Sequence, residues 1–437
     1  MKVDALVRAV RTFVGRHRRA LLVTAGLLVI VIAYVAWSVL TVRSNLIAAQ
    51  RHAKQVQSAI SAGDVPAART ALASFVDETS TAASRSDGLP WKIASHLPFV
   101  GDDVRAVRIV ADTGASIGKV AQERAFPVGK PDLISALAPK DGHVDLTAVA
   151  QARSAVLALD EAFREAAKPV GSVELGHLNG FVRPSFTKFL DKLDRARGSI
   201  SAAAKAVQVL PAMLGQHSTQ HYLLRFNNNA EIRSQGGLPG AWSLLAARGG
   251  KVSLVKQGST TDFDRFTFPI LPMTSAESRI YQSAPGIFWQ DTGFAPDFPR
   301  SAELATAMWS RIFPGTRIDG VIDVDTVAIA HLLTVLGPVH TKGGTEINAG
   351  NAVEQLLSKV YQRYINPPDQ DAFFAQVAST VFDRVTTVKT SPLKLLSALA
   401  WGVNHGRVHL YSFHHDVQKT LTGTTIAGEL SYRATRS

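Results

Sequence analysis

From Ala20 to Val42, between Arg19 and Arg43, 23 consecutive residues carry no charged side chain (ALLVTAGLLVIVIAYVAWSVLTV). At a helical rise of about 1.5 Å per residue, such a stretch reaches across a hydrocarbon core about 30 Å thick. No other segment has this character, so the chain is expected to cross a membrane once, over residues 20–42. The residues before it hold Lys2, Arg8, Arg11, Arg16, Arg18 and Arg19 against the single acid Asp4. A basic cluster beside a first helix keeps that end in the cytoplasm. The expected localisation is the cell membrane, single-pass, with a basic cytoplasmic tail over 1–19 and an extracytoplasmic remainder. A cleaved signal peptide is the competing reading, but its apolar core runs to only about 7–15 residues. Tyr34 and Trp37 lie towards the outer end of the stretch, where amphipathic rings favour the interface.

Charge bears on partners. Of the formal net charge of +12, the six bases and one acid of the tail account for +5, leaving +7 spread over the rest. Topology and anionic lipid headgroups explain the tail. No basic run interleaved with aromatics follows it, so nucleic acid is not an expected partner. Cysteine is absent, which excludes disulfides, thiolate metal sites and cysteine nucleophiles. The external part must stand on packing alone.

Directly after the apolar stretch, Leu46, Ala49, Ala53, Val56 and Ile60 recur at spacings of three and four, the period of a helix with one apolar seam. The rhythm returns in Val149, Ala152, Val156, Leu159, Phe163 and Ala166, and again in Phe189, Leu193, Ala196, Ile200, Ala203, Val207 and Leu210. A weaker pattern runs from Asp103 to Arg124. Residues 43–215 therefore read as a helical-bundle stalk, with connections at 63–66, 84–98 and 171–184 where Gly, Pro and Asp collect. These coiled-coil-like seams serve either an intramolecular bundle or a homo-oligomer.

From residue 216 to 437 the texture becomes α/β. His221–Phe226 reads as a strand, and Ala241–Ala247 and Lys251–Lys256 flank Arg248-Gly249-Gly250 as a hairpin. Helices are expected at about 299–312, 325–336, 349–364, 369–387 and 391–404. Asp325 is placed to cap one of them, with Gly337 and Pro338 to end it. The run Gly320–Val324 reads as a buried strand, and late strands are expected at 407–413 and 425–430. Strand-then-helix units imply an α/β sandwich.

Familiar catalytic signatures are missing: there is no nucleophile elbow, phosphate loop, His-Glu-x-x-His or dinucleotide glycine fingerprint. His414-His415-Asp416 reads as a solvated turn at a strand end rather than a metal site. The strongest constellation is the stretch Asn227–Gly240 (NNNAEIRSQGGLPG). Its Asn227, Asn228, Glu231, Arg233, Gly236 and Gly237 suit an anion, because glycines admit close approach and Arg grips phosphate bidentately. Equally open is a structural loop in which Glu231 pairs with Arg233 or caps a helix. Asp262 and Asp264, two apart, are candidate ligands of Mg2+, the sole candidate cofactor.

The blocks NNNAEIRSQGGLPGAW, the Gly-Gly hairpin, APDFPRSA, RIDGVIDVDTVAIAHLLTVLGPV and PDQDAFF, in that order over about 220–400, resemble the bacterial membrane-protein family catalogued as domain of unknown function 4012. The resemblance implies an N-terminal anchor, a helical region and envelope polysaccharide work. More distantly, DGVIDVDTVAIAHLLTVLGPV is similar to a segment of the LytR-CpsA-Psr phosphotransferases, which attach glycopolymers from polyprenyl-pyrophosphate carriers. That similarity implies a comparable α/β sandwich and places Arg233 near a phosphate. This sequence departs from that pattern in Ser234-Gln235-Gly236 and in Ala372, Phe373 and Phe374. The expected function is a membrane-anchored envelope protein binding an anionic or lipid-linked glycan in cell-wall or exopolysaccharide assembly. The alternatives are a Mg2+-dependent glycopolymer phosphotransferase and a non-catalytic scaffold for other envelope-assembly proteins.

Overall fold

The computed structural model describes residues 34, 37–62, 64–125, 142–387 and 392–430. Most of the expected membrane span, 20–42, lies outside them. Among the described residues no helix is long and apolar enough to cross a membrane. The end of the stretch, 37–42, is helical and runs on as α1 (37–62). The chain divides into two compact units, one all-helical and one mixed α/β.

The helical unit takes α1 as far as Ala59, then α2 (Val65–Ser86), α3 (Leu89–Ala94) and α4 (Gly101–Val120), together with residues Leu157–Ser201. Those last residues belong to two long helices, α5 (Leu146–Gly171) and α6 (Arg183–Met213), whose remaining parts fall in the other unit. Helix α2 begins where the Asp64 side chain accepts the Ala67 N–H at 3.0 Å, with proline in its first turn. The approach of α4 to α2 is close. A Cβ at Gly114 would lie 2.8 Å from the Thr79 methyl, and one at Gly118 would lie 3.0 Å from the Phe75 ring. Ala106, Val170, Leu178, Phe186 and Leu193 form one core, and Val42, Ala82, Trp91 and Ala111 another. The stretch 84–98, expected to be a connection, contains α3. Pro90 sits in its first turn, where a missing N–H breaks no helical bond, so this proline starts a helix.

The second unit is built on a mixed five-stranded sheet: β1 (Gln220–Asn228), β2 (Leu238–Arg248), β3 (Lys251–Ser259), β4 (Gly320–Asp325) and β5 (Val408–Ser412), in the order β3-β2-β1-β4-β5. Strands β1 and β4 are parallel, and the other neighbours are antiparallel. On one face Leu223, Trp242, Leu244 and Val321 meet Ala302, Ala305, Met308 and Trp309 of α7 (Phe298–Ile312). Trp242 and Trp309 pack edge to face at 4.7 Å, and Phe263 stacks on Trp289 at 3.9 Å. On the other face Tyr222, Leu245 and Ala247 meet Phe382 of α9 (Pro367–Thr387). Helix α8 (Thr326–Leu336) shares a core with α9 and with Leu395 of α10 (Pro392–Asn404).

Asp325 caps α8 by accepting the Ala328 N–H at 2.8 Å, and Gly337 ends it at φ +75, as the sequence predicts. Two expectations are corrected. The helix expected at 349–364 is interrupted by a π-helical turn, Gln355–Lys359. Residues 425–430 are no strand: Thr425–Ala427 is a 3₁₀ turn ended by Gly428 at φ +59, and a Cβ there would lie 2.7 Å from Phe298. Trp309 anchors the α7 face. Trp309→Ala is expected to cost about 3–5 kcal/mol, read as a lower urea midpoint by circular dichroism, against under about 1 kcal/mol for the half-exposed Ile312→Ala.

Candidate functional site

The parallel strands β1 and β4 end side by side, with Asn227 opposite Asp325. In open α/β sheets ligands bind in the crevice outside such carboxyl ends. A cavity of about 690 Å³ opens here, lined by the end of β1, the start of β2, the first turns of α8 and one side of α9. Its volume falls in the usual range for ligand sites, about 300–1,000 Å³.

The wall contributed by α9 is graded. Gln370 and Asp371 line the cavity at one end, and Phe374, Val377, Ala378 and Val381 continue at helical spacing for about 10 Å. Leu238, Ile329, Leu356 and Leu357 complete the apolar part. The polar part is gathered around Tyr361. Its hydroxyl accepts from Asn228 Nδ2 at 2.8 Å, and burial together with the Glu231 and Asp371 charges pushes its pKa up, so it stays protonated. Asp371 Oδ2 accepts from the Ser259 and Thr261 hydroxyls at 2.6 and 3.2 Å, tying α9 to the end of β3. Asp264, Arg265 and Gln290 also line the cavity. Among its described lining residues, three carboxylates, Glu231, Asp264 and Asp371, face one cation, Arg265.

Of the six loop residues singled out in the sequence, the cavity wall includes Asn227, Asn228 and Glu231. Arg233 is elsewhere and already engaged. Its Nη2 donates to Asp291 Oδ1 at 3.0 Å, and its guanidinium lies 4.3 Å from the Phe294 ring centre. Both members of the ion pair are only 15% exposed. Neither expected role of Arg233, phosphate contact or partner of Glu231, matches this placement. Gly236 and Gly237 serve the turn. They take φ +90 and +147, and a Cβ on Gly237 would fall 2.3 Å from the Asn228 carbonyl oxygen. The amides of Gln235, Gly236 and Leu238 donate to Gly293, Arg233 and Glu231 carbonyls, while Asn227 Oδ1, Asn229 Oδ1 and Arg233 Nε are buried without a partner among the described residues.

Asp262 closes a capping box: its Oδ2 accepts the Ser259 N–H at 2.8 Å and the Trp242 indole N–H at 3.1 Å. Residues 260–262 form a 3₁₀ turn rather than a strand, and of the two acids only Asp264 lines the cavity. Among the described residues no group of three or more His, Asp or Glu side chains could hold a metal ion. His414 lies in the bend at the end of β5, with Nε2 3.1 Å from Asp319 Oδ1, while His415 and Asp416 open the helix His415–Leu421 instead of continuing the expected turn.

Behind the cavity lies a network that the sequence reading missed. Arg225 on β1 and Asp323 on β4, both buried, join through Nε–Oδ1 at 2.6 Å and Nη2–Oδ2 at 2.8 Å. Thr292 and Ser301 accept the other guanidinium protons, each at 3.0 Å. Asn227 donates to Asp323 Oδ2 at 3.0 Å and to the Gln235 carbonyl at 2.9 Å. The signal was one charge inside each of two apolar strand runs, HYLLRF and GVIDV.

Removing Arg233 or Asp291 singly is expected to cost about 1.5–3 kcal/mol in urea denaturation, and the double Ala variant less than the sum. His409, opposite Asp323 in register and 5.3 Å from the Phe298 ring, has its pKa lowered by burial, which Arg225 reinforces and the Asp323 charge opposes. Below about pH 6.5 the unfolded chain takes a proton that the folded site resists, so stability falls as pH drops towards the lowered pKa. Urea midpoints between about pH 7.5 and 5 are expected to fall less steeply for His409→Gln than for the parent.

No curated protein matches the chain. Residues 217–361 match the family described as protein of unknown function (DUF4012), a span that starts just before β1 and ends at Tyr361 in the cavity wall. The α/β unit therefore carries a DUF4012 domain over residues 217–361.

Proposed function

We propose that this is a single-pass, membrane-anchored envelope protein whose α/β unit binds a lipid-linked glycan during cell-wall or exopolysaccharide assembly. The graded wall of the cavity carries the reading. Phe374, Val377, Ala378 and Val381 offer about 10 Å of apolar surface to an isoprenoid or alkyl chain, and each methylene buried there contributes up to about 0.8 kcal/mol. At the other end Asn228, Glu231, Tyr361 and Asp371 present the mixed donors and acceptors that sugar hydroxyls require.

With Arg265 as the one lining cation among the described residues, the polar end suits a hydroxyl-rich group better than a bare phosphate. The anchor is supported by the uncharged stretch 20–42 and the basic tail before it. The Mg2+-dependent phosphotransferase reading gives Arg233 to the pyrophosphate and Asp262 or Asp264 to the metal; Arg233 and Asp262 have internal partners, while Asp264 lines the cavity.

The test is binding of a fluorescent polyprenyl-phosphate sugar by the full chain in nanodiscs. Ala378→Phe projects a ring into the apolar part of the cavity, and affinity is expected to fall at least about tenfold, or about 1.4 kcal/mol, with the circular dichroism spectrum unchanged. Equal affinity in the folded variant would overturn the reading.

A further inference from the structure

The link between α2 and α4 turns one large side chain inward and several outward. Trp91 is buried against Val42, Ala82 and Ala111, and its indole N–H donates to the Ser38 hydroxyl at 2.7 Å. Around it Leu89 is 71% exposed, Ile93 59%, Leu97 49% and Phe99 96%. Phe99 also holds φ +68, a conformation that bulky side chains seldom adopt. A second exposed aromatic stands at the same end of the unit. Asp103, in the first turn of α4, accepts the Asn179 N–H at 3.0 Å, which places Phe181, 93% exposed, beside the start of that helix.

Ser38 and Val42 belong to the last turns of the uncharged stretch 20–42, so the Trp91 contact fixes the depth of the loop. Ser38 lies about 6 Å along the helix before Val42, comparable with the roughly 5–8 Å interfacial zone outside each face of a hydrocarbon core. Trp37, on the same turn, carries the Arg85 guanidinium 4.9 Å from its ring centre, a pairing suited to the headgroup level.

We infer that the loop 89–100, with Phe181, is an interfacial foot that inserts Leu89, Ile93, Leu97 and Phe99 into the outer surface of the bilayer from which residues 20–42 emerge. The inference rests on the membrane anchor of the proposed function and adds a second contact with the same membrane. Lipid is the occupant because Trp91, set among these exposed side chains, packs on Ser38 and Val42 at the end of the apolar stretch. The contact is apolar, since Lys92 is already paired with Asp87 at 3.3 Å. A loop held in this way pins the helical unit to the bilayer surface.

The absence of cysteine permits single labels. The full chain bearing Ile93→Cys or Phe181→Cys, labelled with an environment-sensitive NBD dye, would be placed in phosphatidylcholine nanodiscs with and without headgroup-region doxyl lipid. Emission at both positions is expected to be blue-shifted and quenched about twofold, unchanged in roughly 0.5 M salt. A label at Glu123→Cys, in the π-helical turn that follows α4 and about 30 Å from the start of that helix, is expected to stay unquenched. Melting temperatures of the labelled chains control for folding. Unquenched labels at 93 and 181 alongside a quenched label at Leu28→Cys would overturn the foot and leave the anchor standing. Loss of quenching at 28 as well would overturn both. A blue shift at 93 that doxyl lipid does not quench would assign the loop to a protein partner and overturn the lipid contact.

Discussion

A guanidinium and a carboxylate buried in the centre of the sheet set the geometry on which the rest of the α/β unit depends. Arg225 and Asp323 lie on neighbouring parallel strands in direct register. Removing one partner of such a pair leaves an uncompensated buried charge, a penalty of about 3–5 kcal/mol. Sliding the strands by one residue would turn every side chain to the opposite face and strand both charges. The pair thus locks β1 against β4 and aligns their carboxyl ends. Asn227 extends the lock to the Gln235 carbonyl, which holds the glycine-rich loop in place at the cavity edge.

The same arrangement separates two tasks. The face carrying Trp242, Trp289 and Trp309 is filled by rings and holds the ionic network. The cavity is lined by Phe226 and Ala241, which point to the other face, and by α8 and α9, whose Ile329, Phe374, Val377 and Val381 reach it from the edge of the core those helices share. An amphiphile suits it because polarity changes along a single helix: one end of α9 offers Gln370 and Asp371, the next turns only apolar side chains.

Much of this was legible in the sequence wherever the determinant is local. The helical seams, the Gly-Gly hairpin and the frame of α8 from Asp325 to Gly337 all rest on neighbours within a few residues, and the structure contains them. Pro90 was misread because proline both ends and begins helices, and only the chain after it decides which. The site was harder to read. The partner of Arg233 is 58 residues away and that of Arg225 is 98 away, and no period or motif links them. Arg233 stood out for its glycine-rich setting, yet the fold uses it as a brace. The cavity wall on α9 was not legible, because Val377 both packs in the core and lines the cavity, and periodicity does not separate the two.

The account stands on a lipid chain lying along α9. A polyprenyl-phosphate sugar with a diazirine in its isoprenoid chain, photolysed with the full chain in nanodiscs and mapped by peptide mass spectrometry, tests that placement directly. Adducts concentrated on Phe374, Val377, Ala378 and Val381, and competed away by unlabelled carrier, are the predicted result. Adducts confined to the 20–42 stretch, or none that the carrier competes for, would contradict it.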